Sequence, residues 1–261
     1  MAGLINLLLK NLQNFMGGKN KSGNDSLIKQ NSLENKSMGS PLSTEQSIIN
    51  DLSKVMIPVV NLLEQEGIII GSPYAATANT AITNSLLSQG NNVYIPETAN
   101  TYLYINDTII IPPYQKIFGS GSLTKVRVVD NTNKHVFRLN YRSKIKKLDI
   151  YMDVGSNKAA VYLNADDKIS YAGASEIFIR GYYNQWMLTE DSSGILLEGG
   201  TDLSGEIYYC NFDNITILET TTGIKCLQNG ANVNGNTFKG LNLVNNKYGI
   251  DGNPNGSIFE F

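Results

Sequence analysis

The stretches FDNITILETTTGI (212–224) and FKGLNLVNNKYGI (238–250) match without a gap, twenty-six residues apart. Phe212 aligns with Phe238, Ile215 with Leu241, Ile217 with Leu243, Gly223 with Gly249 and Ile224 with Ile250. Each copy reads as a strand, Phe-x-x-Ile-x-Ile, then a short polar stretch, then Gly-Ile. Side chains two residues apart share one face of a strand. One such unit cannot bury its apolar face alone, whereas stacked units can. The pattern therefore predicts a solenoid of strands.

The same i, i+2 pair recurs upstream at Leu148/Ile150 and at Ile177/Ile179. Each pair is followed by a second short strand, Val161-Tyr162-Leu163 and Ile195-Leu196-Leu197, matching Ile224 and Ile250 in the later units. The gaps between first and second strands vary in length, as they do when insertions collect in turns around a constant core. The expected fold is mainly β, a right-handed parallel β-helix. An antiparallel β-sandwich stays open, with the Asn-Gly pairs at 229–230, 234–235 and 255–256 as hairpin turns.

Residues 76–89 (ATANTAITNSLLSQ) read as a helix with Ala81, Ile82, Leu86 and Leu87 on its apolar face, ended by Gly90. There follow Val93-Tyr94-Ile95-Pro96, Tyr102-Leu103-Tyr104, Thr108-Ile109-Ile110-Ile111-Pro112 and Ile117-Phe118-Gly119-Ser120-Gly121. This order resembles the opening segment of pectate-lyase-like β-helix proteins, a superfamily that includes phage tailspikes and many polysaccharide lyases and hydrolases. The resemblance covers 76–261. It implies that the helix plugs the open end of the solenoid. That superfamily often places an acidic pair before the helix; here Thr77, Asn79 or Thr80 is the expected cap.

The rest of the chain sets the organisation. Residues 1–16 read as an amphipathic docking helix using Leu4, Leu8, Leu12 and Phe15, too short and too interrupted to span a bilayer. Residues 17–42 are a flexible linker rich in Gly, Asn, Ser and Lys. Over 43–70 a helix is expected, with Ile48, Leu52, Val55, Val59 and Leu62 at heptad spacing for attachment and oligomerisation. Residues 71–261 form the capping helix and the solenoid. The final Ile258-Phe259-Glu260-Phe261 starts another strand, so the solenoid is expected to continue in a longer polypeptide.

Formal net charge is −2 with no basic face evident, which argues against nucleic acid as a partner. Cys210 and Cys226 fall at strand positions and read as buried free thiols. With one histidine, His135, triad chemistry and His-rich zinc sites find no support. No metal or cofactor is expected. Carbohydrate-binding candidates are Tyr182, Tyr183 and Trp186 in the longest turn, with Glu198 beside it. Rings with polar tips suit the apolar and hydroxyl faces of sugars. Cleavage would need two carboxylates about 5 to 9.5 Å apart, with Glu198 facing an acid on the neighbouring coil. Glu190, Asp191, Asp202, Glu206, Asp213 and Glu219 are further acids in this region, and no pair stands out.

Attachment helix, tether, oligomerising helix, cap and solenoid, in that order, resemble a phage tailspike or tail appendage. The resemblance implies a homotrimer, other virion tail or collar proteins as partners, host surface polysaccharide as ligand, and a virion location. Its alternatives are a polysaccharide hydrolase or lyase, and a surface adhesin without catalysis.

Overall fold

The computed structural model describes residues 57–98, 100–129, 134–152, 158–166, 168–181, 192–202 and 204–261. All lie in one unit of the chain, Asn50–Phe261. The readings placed on Leu4, Leu8, Leu12, Phe15, Ile48, Leu52 and Val55, and on the linker 17–42, fall outside the described residues.

In chain order the elements are β1 (Val59–Asn61), α1 (Ala76–Ser88), β2 (Asn92–Tyr94), β3 (Leu103–Ile105), β4 (Ile109–Ile111), β5 (Lys116–Phe118), β6 (Lys125–Val128), β7 (Phe137–Leu139), β8 (Lys144–Tyr151), β9 (Ala159–Asn164), β10 (Ile169–Ser170), β11 (Gly173–Arg180), β12 (Ser193–Glu198), β13 (Ile207–Tyr208), β14 (Asn211–Leu218), β15 (Thr222–Leu227), β16 (Val233–Asn234), β17 (Thr237–Val244), β18 (Tyr248–Gly252) and β19 (Ile258–Phe259). Three sheets result. The first runs β1-β2-β5-β8-β11-β14-β17-β19, with β3 and β6 joined to it through β8; the second runs β4-β7-β9-β12-β15-β18; the third is β10-β13-β16. Every pairing among them is parallel. The fold is thus mainly β and solenoid-like. A sandwich joined by hairpins would pair its strands antiparallel, so that alternative falls.

The matched positions of the repeat are register partners. Phe212 pairs with Phe238, Ile215 with Leu241, Ile217 with Leu243, and Ile224 with Ile250. Columns extend upstream through Ile177 to Leu148 and through Ile195 to Val161. The rings of Phe212, Phe238 and Phe259 stack with centroids 4.7 Å apart at each step. Most of these side chains are buried in one continuous apolar interior, and each fully buried Ile, Leu or Phe contributes about 1.5–3 kcal/mol. Cys210 and Cys226 are free thiols in that interior, pushed up to about 12 by burial. Cys226 lies in β15, as the sequence places it at a strand position, whereas Cys210 lies in the corner between β13 and β14, one residue short of the strand.

Two expectations about the N-terminal side need correction. The heptad reading made Val59 and Leu62 helical. Instead Val59 is exposed in β1, which pairs with β2, and Leu62 is buried at the start of a short 3₁₀ turn, Leu62–Glu64. Parallel pairing to β2 satisfies the backbone there without a helix, so the boundary expected at residue 70 falls inside the folded unit.

The second correction concerns α1. Its N-cap is Ala75, with no side-chain cap bond. Leu87 is buried and Ala81 is exposed, while Asn79, Thr80 and Thr83 face inward. The reason is that α1 sits on strand edges, whose backbone groups need partners. Asn79 Nδ2 donates to the carbonyls of Ile69 and Tyr104, and its Oδ1 accepts from the Ile69 amide. Asn84 accepts from the Ile110 amide and donates to the Thr108 carbonyl, closing the free edge of β4. Thr80 accepts from the Asn106 amide. Asn79 and Thr80, expected to cap the helix, bond backbone at and beside β3 instead, while Thr77 accepts from the Asn106 side chain. No helix among the described residues is long and apolar enough to cross a membrane.

Candidate functional site

Glu198 ends β12 on the second sheet, and its register partners are Asn164 and Leu227. The expected carboxylate on the adjacent coil is therefore absent from that row. Neutral donors hold Glu198 instead. The Tyr162 hydroxyl donates to Oε2 at 2.5 Å, and Asn229 Nδ2 donates to Oε1 at 3.1 Å. Burial, and then the bond to Glu198, push the Tyr162 phenol well above its usual range, so it stays a donor. His135 stacks flat on Tyr162, with centroids 3.6 Å apart, and its Nδ1 accepts from the Ala159 amide. Burial, with Lys158 and Arg138 nearby, pushes the imidazole down to about 4.

Glu198 opens onto a notch of about 220 Å³, lined also by Asn164, Asp166, Asp202 and Asn229. Gly200 and Gly205 let the chain fold back closely here, because a Cβ on either would meet the Ala165 carbonyl oxygen at 2.4 or 2.1 Å. Asp166 pairs with Arg138 Nη2 at 2.9 Å, while Arg138 Nε is buried with no partner. Asp202 accepts from both the hydroxyl and the amide of Ser204, which hold its carboxyl below the usual range. Glycoside cleavage needs one carboxyl raised enough to deliver a proton. Among the described residues the carboxyl so raised is Asp149, pushed up to about 6 by burial; it lies on β8 of the first sheet, beside Lys125. The notch is equipped to accept and donate hydrogen bonds to a hydroxyl-rich ligand.

Of the site residues expected from sequence, Tyr182, Tyr183 and Trp186 lie outside the described residues, as do Glu190 and Asp191. Glu206 is paired with Lys168 and Glu219 with Arg180. Asp213 lines a groove on the first sheet, together with Lys116, Lys144 and Lys146. That groove corrects the expectation that no basic face exists. Its signal was present in the run Arg142-Ser143-Lys144-Ile145-Lys146-Lys147, which the low net charge of the whole chain concealed.

No family model matches this chain, and neither does any curated protein. Among solved structures it is similar to ORF18 of Geobacillus virus E2, with 15% identity and a TM-score of 0.44, over 77% of this chain and 44% of that one. It is also similar to the Agl-KA catalytic domain, with 10% identity and a TM-score of 0.24, over 78% of this chain and 68% of that one. The chain spans less than half the length of the viral protein. Neither superposition is close enough to carry an argument about what this chain does.

Proposed function

We propose that this chain is a right-handed parallel β-helix of a virion tail appendage, which adsorbs to a host cell by binding surface polysaccharide. The N-terminal segments, with Leu4, Leu8, Leu12, Phe15, Ile48, Leu52 and Val55, attach it to tail or collar proteins and hold it as a homotrimer. Tyr182, Tyr183, Trp186 and Glu198 contact the glycan at the long turn. The observation that supports this reading is the register. Equivalent positions on successive coils lie about 4.8 Å apart, so rows of side chains form a rigid flank suited to an extended polymer. The hydrogen-bonded notch at Glu198 is one polar station on that flank.

Three measurements test it. The mass of the full chain in solution is expected to be that of a trimer; a monomer at micromolar concentration refutes the assembly. Deleting residues 1–49 is expected to abolish incorporation into particles while leaving the β signature in circular dichroism intact. Host wall polysaccharide is expected to bind without being cut; release of reducing ends or unsaturated products makes the protein a depolymerase instead.

A further inference from the structure

Two residues ahead of β5, β8, β11, β14, β17 and β19 the chain turns through a left-handed backbone. The residues there are Tyr114 (φ 68°), Arg142 (56°), Tyr171 (58°), Tyr209 (54°), Gly235 (59°) and Gly256 (59°). They form one column, because the strands that follow pair Lys116 with Lys144, then Gly173, Asn211, Thr237 and Ile258. The neighbours Ser143, Ala172, Cys210 and Asn236 are fully buried, so each corner turns its preceding side chain outward. Tyr114, Tyr171 and Tyr209 are 52%, 44% and 55% exposed. Bulky residues held at positive φ are uncommon, and such strain gathers where a surface has a task.

The column is organised. The rings of Tyr171 and Tyr209 stack 5.9 Å apart. The Arg142 guanidinium lies 5.8, 5.2 and 5.2 Å from the rings of Tyr114, Tyr141 and Tyr171. Beside it runs a groove of about 590 Å³, lined by Lys116, Arg142, Lys144, Lys146, Tyr171 and Asp213. A second depression of about 350 Å³ shares Lys116 and Lys146 and adds Tyr94 and Phe118. Gly173, next to Lys144 in the row, lets the neighbouring strand approach closely beneath the groove; a Cβ there would meet the Asn211 carbonyl oxygen at 1.9 Å. The lysines are close enough to feel one another. Burial first, and also Lys146 and Lys116, lower the affinity of Lys144 for its proton, against a raising effect of Cys210. A ligand bearing negative charge relieves that repulsion.

We propose that this face binds an acidic polysaccharide, with its carboxylate or sulfate groups on Lys116, Lys144 and Lys146 and its hydroxyls on the tyrosine rim. The assignment names a glycan class for the surface reading above and rests on it, at a face separate from the Glu198 notch. A groove crossing several coils fits a chain of sugars better than a single ion. Nucleic acid is disfavoured, because single strands bind by stacking bases on open rings. Here Tyr171 and Tyr209 stack on each other and Arg142 lies over Tyr114, Tyr141 and Tyr171, so each of these rings already has a partner on one face.

The test uses the full chain against polygalacturonate, chondroitin sulfate, neutral dextran and single-stranded DNA. Both acidic glycans are expected to bind more tightly than dextran, and more weakly as salt rises. Combining Lys116→Gln, Lys144→Gln and Lys146→Gln is expected to weaken them about tenfold, whereas Lys168→Gln changes nothing. Tyr171→Gly with Tyr209→Gly, a residue the column already accepts at 235 and 256, is expected to weaken binding while the melting temperature holds. Equal binding of dextran, equal binding of DNA, or an unaffected but folded triple-lysine variant overturns the assignment alone. Binding of no glycan of either kind overturns it together with the surface reading.

Discussion

Tyr209 holds a left-handed backbone where the two following coils place glycine. An L-residue there costs roughly 1–2 kcal/mol of backbone energy that glycine avoids. Tyr209→Gly is therefore expected to be about 1 kcal/mol more stable than Tyr209→Ala in urea unfolding; equal stabilities would mean that the backbone relaxes out of the left-handed region. Gly173 is a steric case. A Cβ would stand 1.9 Å from the Asn211 carbonyl oxygen, and backbone cannot swing away as a side chain can. Gly173→Ala is expected to cost about 3 kcal/mol, read as a fall in the urea midpoint.

At the level of elements, α1 acts as a lid whose polar side chains terminate strands. Asn79 is buried with three backbone partners, so Asn79→Ala strands them and is expected to cost about 2–3 kcal/mol. Asn84→Ala leaves more exposed groups behind and is expected to cost about 1 kcal/mol. Its signature is local: faster hydrogen exchange at the Ile110 amide, ahead of the interior strands. Unchanged exchange there would mean that β4 needs no edge partner. The long strands share a second device. Lys147, Glu176, Asn214 and Gly240 all sit at φ between 53° and 59°, and register skips each of them. One left-handed residue at the same register position bends β8, β11, β14 and β17 at the same place, with no residue gained or lost between neighbours.

For the whole molecule, two half-buried groups set opposed pH slopes. The Asp149 carboxyl is raised by burial from 3.8 to about 6, so the folded state holds that proton more tightly and stability falls as pH rises from 4 to 6. His135 is lowered from 6.5 to about 4, so its contribution is lost as pH falls through that window. Asp149→Asn removes the first slope. Its stability relative to wild type is expected to grow from pH 4 to 6 and then level off in denaturant titrations; a pH-independent difference would exclude Asp149. Truncation probes the folded unit. Removing 1–70 takes β1 and the buried Leu62, and is expected to lower stability by about 3 kcal/mol or more relative to removing 1–49. The stacking partners of Phe212, Ile215 and Ile217 were legible in the chain, because a repeated apolar period can be buried only by its own copies. So were α1 and the free buried thiols. The strand at Val59, the inward turn of Asn79 and the tyrosine column were not legible, and of the lysine groove only the basic run 142–147 was, without its partner Lys116. Each depends on neighbours supplied by other coils across turns of unequal length. Local periodicity records which faces of a segment are apolar; it does not record which backbone edge, corner or charge the next coil will set beside it.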